Sequence, residues 1–573
     1  MARIHLALGA LLAGTLALAA CDSLPGMASA SAALGGSEVP AGQISETTMK
    51  DAVRILSSDA FEGRAPGTAG EEKTIAFLTE RFKAAGLKPG NGTSWVQEVP
   101  LVEITGKNYA PLTVSGAKAG GPLSFDFAKD WVGVTYREQA TTAIKDSELV
   151  FVGYGINAPE RGWNDYAGLD VKGKTVVILV NDPDWQTAGL KGAFNGKAMT
   201  YYGRWTYKFE EAGRQGAAGA LIVHQTKPAA YGWNVVESSW TGAQAYAQRT
   251  KNAPPLTQMN GWVTEASARL LLNAAGQDLG ALTKAAQTKG FKAVPLGLKL
   301  STSFTSDIRS FKSHNVIGIL PGTEKPGEYV LHTAHWDHLG RCTAAPDGDD
   351  ICNGAIDNAT GTAALVALAG AHVKAGASRR SLVFLAVTAE ESGLLGADYY
   401  AQNPVFPLAQ TVGGVNMDAL QMAGPARDVT VVGLGKSDLD RFLEAALKVD
   451  GRTITPDAKP EAGYYYRSDH FAFAKRGVPM LYIDGGQDLV TGGRSAGEAV
   501  ASDYTDNRYH GPKDEYDPAW NWSGVMADLQ LYYRLGKMMA TSTAWPNWVA
   551  GDEFRAIRDQ SCAAADKGCR PPP

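Results

Sequence analysis

The chain has no excess of positive charge: 54 lysines and arginines stand against 59 acids, for a net charge of −5. Nucleic-acid binding needs a basic face, so that class is set aside. No Cys-Xaa-Xaa-Cys spacing occurs among its five cysteines, which weakens any reading in which sulfur holds a metal. The apolar run Leu6 to Ala20 is too short for a membrane-crossing helix. Histidine is scarce too, with nine in 573 residues, yet His332, His335 and His338 fall within seven. That crowding sits at the end of an apolar stretch, Tyr329 to Thr333, which reads as a buried strand. Open α/β sheets bind ligands at that end of their strands.

What is present first is an export signal. Arg3 and His5 precede the apolar run, which closes on Leu18-Ala19-Ala20-Cys21. This ending resembles the lipobox of bacterial lipoproteins, in which the cysteine (here Cys21) is acylated. The expectation is a periplasmic, membrane-anchored lipoprotein, with plain secretion as the alternative. Residues 1–21 are the signal and 22–44, rich in Ser, Gly, Pro and Ala, a flexible tether. The remaining cysteines form two close pairs, Cys342/Cys352 and Cys562/Cys569, which in an exported chain predict two local disulfides.

The mature chain divides by pattern. Residues 45–130 open with two helices, Glu46 to Leu56 and about Glu71 to Ala85, the second stopped by Gly86. Residues 131–295 read strand, strand, helix, strand, with no clustered His, Asp or Glu, as a separate smaller module. Within it, Gly168 to Thr175 fits the P-loop pattern, but a strand follows where a phosphate cradle needs a helix. Residues 296–540 alternate strand and helix, which implies a mostly parallel sheet covered on both faces. Here Ala389 to Gln402 is predicted mainly helical. Residues 541–573 form a tail that wraps the surface.

In the third segment several strands end in acid or histidine: His335 and Asp337, Glu390-Glu391, and Asp418. Asp357 lies at the start of a helix, and Tyr509-His510 follows near the end. Parallel neighbouring strands would bring these to one edge. Two histidines and the four carboxylates Asp357, Glu390, Glu391 and Asp418, without thiolate, suit hard to borderline metals, above all zinc, with manganese or cobalt as alternatives. The reading is two Zn2+, with His335 and Asp418 on one ion, Glu391 and His510 on the other, and Asp357 bridging. Glu390 is left as general base toward a metal-bridging water.

Phe61-Glu-Gly-Arg-Ala-Pro-Gly, His335-Trp-Asp337, Gly354-Ala-Ile-Asp357-Asn-Ala-Thr-Gly, Glu390-Glu391, Asn416-Met-Asp418, Ser468-Asp-His470 and Tyr509-His510 resemble the co-catalytic zinc exopeptidases of metallopeptidase family 28, which include leucyl aminopeptidases and glutamate carboxypeptidases. The resemblance implies the same ligand set, Asp337 as a partner behind His335, and a cis peptide bond after Asp357. It also implies an oxyanion-stabilising tyrosine three residues before Ser468, which is Tyr465, with Tyr509 as rival. The 131–295 module is similar to the protease-associated domain inserted in such peptidases. The implied fold is a mixed α/β sheet sandwiched by helices. The implied activity is removal of N-terminal residues from peptides.

Three rival readings stand beside this one. One is a carboxypeptidase of the same family, and another a binding protein on a dead peptidase scaffold. The third is a serine hydrolase, since Gly493-Arg-Ser495-Ala-Gly497 fits the nucleophile elbow. That motif needs a strand running straight into it. A glycine-rich run intervenes here, so the segment reads as a loop.

Overall fold

The computed structural model describes residues 39–117, 121–249 and 253–564. The signal sequence, Cys21, most of the tether and Cys569 lie outside the described residues.

Two N-terminal helices form where expected. Glu46–Leu56 is capped by Ser45, whose side chain accepts from the Thr48 N–H, and it buries Met49, Ala52, Val53 and Leu56. Ala69–Ala85 ends on Gly86 at φ 95°, a left-handed stop that glycine adopts without steric cost. Both pack on Gly361–Lys374, a helix of small residues buried almost all round. Ser523–Thr541 closes over the same core.

Behind these helices lies the sheet that organises the chain. Lys325–His335, Arg380–Val387, Thr411–Asn416 and Met480–Gly485 are mutually parallel neighbours. Arg380–Val387 is buried along its whole length, as a doubly covered strand should be. The register aligns the strand ends: His335 pairs with Val387, and Thr333 and Tyr482 each pair with Asn416. The residues that follow each strand therefore emerge at one edge.

The same hydrogen-bonded sheet continues into a second body. Val294–Leu320 is a single strand of 27 residues. Its last residues pair with Arg380–Val387, and its earlier ones with Val96–Lys107 and Thr141–Phe151. Thr141–Phe151, Thr175–Leu179, Gly219–His224 and Met259–Thr264 then form a smaller parallel array with its own buried clusters. Asn315 to Leu320 is thus the end of a shared strand rather than a separate one.

Several local expectations are corrected. Thr175 does begin a strand, as the rejection of a phosphate loop required. Gly493–Asn507 is helix, not loop, so Ser495 sits inside a helix with no strand leading to it. Helix covers only Leu395–Gln402, and residues 388–394 form an irregular segment. The tail does more than wrap: Trp545, Trp548 and Phe554 are buried. The module does carry charge inside, because Lys208 is fully buried, donating to the carbonyls of Tyr154 and Asn181. Cys342 and Cys352 are joined as predicted. Cys562 is buried.

Candidate metal centre

Five chain segments meet at the aligned edge. His335 closes its strand, Glu390 and Glu391 lie in the irregular segment after Val387, and Asp418 follows Asn416-Met417. Asp357 sits in the turn before Gly361–Lys374, and its peptide bond to Asn358 is cis. His510 arrives at φ 57° on the turn after Gly493–Asn507.

The donors converge on Asp357. Its Oδ1 lies 3.3 Å from His335 Nε2, and its Oδ2 lies 3.3 Å from His510 Nε2. His335 Nε2 also faces Asp418 Oδ1 at 3.1 Å, and His510 Nε2 faces Glu391 Oε2 at 3.0 Å. One carboxylate thus has an oxygen toward each of two His–acid pairs. His335, Asp357 and Asp418 are buried, whereas the His510 side chain is 36% exposed and forms the open rim.

His338 belongs here as well. Its Nδ1 is 2.6 Å from Glu391 Oε1, and it groups with Asp357 and Glu391 as a second potential cation cluster. Its Nε2 is buried with no hydrogen-bond partner. The spacing His335-Trp-Asp-His338 held the only sequence hint.

Neighbouring loops are tied rather than loosely placed. Arg64, from the Phe61-Glu-Gly-Arg motif, is fully buried. Its Nε donates to the Trp336 carbonyl at 2.9 Å, Nη1 to those of Leu56 and Asn353 at 2.7 Å, and Nη2 to that of Gly354 at 2.8 Å. It therefore fixes the chain just after His335 and just before Asp357. Gly63 precedes it at φ 64°, where an added Cβ would come within 2.5 Å of the Cys352 carbonyl oxygen. Asp514 accepts from the N–H groups of Ile356 and Asp357 at 2.9 and 3.0 Å. Asn358 donates to the Met417 carbonyl and accepts from Ala419 N–H, linking the Asp357 turn to Asp418. Ser468 Oγ donates to Asp418 Oδ2 at 2.6 Å and accepts from Asn416 Nδ2.

Asp337 supports the site differently from expectation. His335 Nδ1 is 3.1 Å from the Asp337 backbone carbonyl and 3.8 Å from its carboxylate. The carboxylate instead accepts from the N–H groups of Glu390 and Glu391. It orients the two-glutamate segment, and its backbone orients the imidazole.

Tyr465 is placed against His470, with ring centroids 4.6 Å apart, and under the Lys436 ammonium at 5.1 Å. Its hydroxyl is buried without a partner, and the acids that act on it are Asp552, Glu553 and Asp440. Lys436, paired with Asp552 and Glu553 of the tail, occupies that side of the ring. The tyrosine in contact with the cluster is Tyr509, stacked on His510 at 3.8 Å.

Electrostatics test whether cations fit. Burial alone would lower the pKa of His335, but Asp418, Glu390 and Asp357 override it and push it well above its ordinary value. His510 is likewise raised to about 10, burial being outweighed by Glu391 and Asp357. Glu390 is pushed well above the usual carboxylate range by burial, with Glu391, Asp418 and Asp469 adding to it. Both oxygens of Asp469 are buried without partners. So many buried acids around two imidazoles call for added positive charge. An oxygen- and nitrogen-only donor set suits zinc or a similarly hard to borderline ion.

Comparison with known proteins places this segment. Residues 315–533 match the sequence model of Peptidase family M28. A glutamate carboxypeptidase 2 homolog from Caenorhabditis elegans is 32% identical over 197 residues, 33% of this chain and 24% of that protein. The mouse aminopeptidase NAALADL1 is 30% identical over 130 residues, 22% of this chain and 16% of its own length. The chain thus spans a quarter or less of these relatives. Among solved structures, an aminopeptidase from Aneurinibacillus sp. strain AM-1 is similar at 17% identity, over 88% of this chain and 96% of that one, with a TM-score of 0.47. The matched segment 315–533 carries every side chain gathered above from His335 to Asp514, so the likeness to Peptidase family M28 falls on the candidate site itself.

Proposed function

We propose that the protein is a zinc-dependent exopeptidase that removes N-terminal residues from peptides, working with two ions that share Asp357. The observation that carries this is the Asp357 carboxylate, with one oxygen facing His335 and the other facing His510. His335 and Asp418 would hold one ion, and Glu391 with His510 the other. His338 is hydrogen-bonded to Glu391 from behind. Bound there, zinc would acidify a water and polarise the scissile carbonyl.

The chain's own groups do the rest. Glu390, held by its N–H on Asp337, takes the proton from the attacking water and gives it to the leaving amine. Its raised pKa, from burial first and neighbouring carboxylates second, suits a group that must both accept and donate. Tyr509 on the open rim is the candidate for contact with the developing oxyanion. Asp484 is pushed up to about 7 by burial and by Asp418 and Asp528. The carboxylates gathered around Asp418 would favour a free ammonium, which supports the aminopeptidase reading.

The 131–295 module is proposed as a protease-associated domain. Export as a lipoprotein through Cys21 remains our reading, and the Cys342–Cys352 bond suits an oxidising compartment. No helix among the described residues is long and apolar enough to cross a membrane.

The test is hydrolysis of peptides blocked at either end, with zinc and with chelator. Glu390→Gln should cut turnover by about 10²–10⁴ while zinc content is kept. Turnover within a few-fold of wild type, or hydrolysis indifferent to chelator, would reject the assignment.

A further inference from the structure

A second gathering of oxygens lies behind the Asp357 turn. Asn353 is fully buried, and its Nδ2 donates to Asp59 Oδ1 and to Glu515 Oε1, each at 2.8 Å. Two carboxylates thus face each other across one amide. No lysine, arginine or histidine pairs with either acid among the described residues. The other end of the amide, Oδ1, is buried with no hydrogen-bond partner. Asp59 and Glu515 are both exposed, so water reaches them.

Amide geometry brings that carbonyl into the cluster. The nitrogen has two hydrogens, one on the Oδ1 side and one opposite. With both acceptors in place, one carboxylate oxygen therefore lies about 4 Å from Oδ1. A calcium ion, bonded to oxygens at roughly 2.3–2.6 Å, fits between that pair. A buried carbonyl without a partner is unfavourable, and facing acids repel, so one cation relieves both. Burial first, and then Asp59 and Asp349, raise Glu515 above the ordinary carboxylate value against the Asn353 hydrogen bond. The donors are all oxygen, with no imidazole or thiolate, which favours calcium over zinc. Magnesium, which demands near-ideal octahedral geometry and shorter bonds, suits an exposed and irregular trio less well.

We propose that Asp59, Asn353 and Glu515 bind a calcium ion, with water completing its shell, at a structural site separate from the catalytic donors. The ion joins three stretches that hold Asp357 in place. Asp59 opens the turn Asp59–Arg64, and Arg64 donates to the Asn353 and Gly354 carbonyls. Cys352, bonded to Cys342, immediately precedes Asn353. Glu515 follows Asp514, which accepts from the Ile356 and Asp357 N–H groups. Tying these stretches together steadies the Asp357 carboxylate, so calcium and zinc should strengthen each other's binding. The calcium site itself needs no peptide hydrolysis.

Calorimetric titration of Ca2+ into the zinc-saturated full chain tests this, the zinc keeping calcium off the catalytic donors. One saturable site is expected, with a Kd of about 10⁻⁴–10⁻³ M, the range of extracellular calcium modules. The double variant Asp59→Asn/Glu515→Gln, changed only at exposed positions, should bind at least about 10-fold more weakly, because ligand charge sets affinity. Mg2+ should displace calcium only at about 10-fold or greater excess. With calcium bound, zinc affinity measured against a zinc-selective chelator should rise by about 5-fold or more, and the double variant should lose that rise. Absence of saturable binding, or binding undiminished in the double variant, overturns the site, and equal competition by Mg2+ overturns the choice of calcium. Zinc affinity indifferent to calcium overturns the link to Asp357. Saturable binding lost in the double variant upholds the site even where no peptide is cleaved and the peptidase reading fails.

Discussion

Arg64→Lys is the most informative single change away from the metal donors. Arg64 is fully buried and gives hydrogen bonds of 2.7–2.9 Å to four backbone carbonyls belonging to three separate stretches of chain. A lysine keeps the charge but concentrates its donors on one nitrogen, which cannot span the same carbonyls. If two of the four acceptors lose their partner, at roughly 1–3 kcal/mol each, the cost is about 2–6 kcal/mol. At the few degrees per kcal/mol typical of domains, unfolding should shift down by roughly 5–10 °C. Because Trp336 and Gly354 flank His335 and Asp357, the effect should extend to the metal. Loss of such supporting contacts commonly weakens binding about 10–100-fold. The assay is scanning calorimetry in chelator, followed by zinc titration of the same preparation. An unfolding midpoint within 1 °C of wild type, with unchanged zinc affinity, would refute the view that this guanidinium fixes the two loops.

Other outcomes follow from the same geometry. Asp514→Asn replaces one acceptor facing the Ile356 and Asp357 N–H groups, and should lower zinc affinity about 10–100-fold by competition titration while the fold persists. Zinc at 100 times its dissociation constant should stabilise the protein by about 2.7 kcal/mol over the chelated form in denaturant titrations. His332 is buried with neither ring nitrogen bonded, and burial lowers its pKa from 6.5 to about 3. A depressed folded pKa contributes stability that is present above 6.5 and is lost as pH falls toward 3. The loss reaches about 2 kcal/mol at pH 5. His332→Leu should make the decline between pH 7 and 5 shallower in chelator-treated protein.

The gathering of candidate donors was legible because they follow strands whose apolar cores are unmistakable. Once those strands run parallel and in register, their ends must share an edge, and His335, Glu391 and Asp418 meet there. What was illegible depended on which atom of a side chain faces where. Spacing placed Asp337 behind His335, yet its carboxylate turns to the glutamate N–H groups and leaves the imidazole to a carbonyl. Nothing in the spacing of His338 tells that Glu391 lies within reach. The segment 388–394 has helix-compatible residues, but anchoring on Asp337 holds it irregular. Gly493 and Gly497 suggested a loop, yet Gly493 supplies the φ of 64° that opens Gly493–Asn507, and Gly497 lets the helix approach the Gln487 carbonyl, where an added Cβ would come within 2.2 Å. The 27-residue strand was hidden because its two halves face different neighbours, so no single alternation runs its length.

That continuous strand bears on any attempt to take the molecule apart. Cutting at residue 295, where the composition changes, would part a ribbon whose far end is stitched to Arg380–Val387 from Val96–Lys107 and Thr141–Phe151, which pair with its middle and its near end. Neither fragment would inherit a complete set of neighbours, so the two lobes should unravel together and resist being swung apart like jaws. Limited proteolysis would then find few clean scissors points between them.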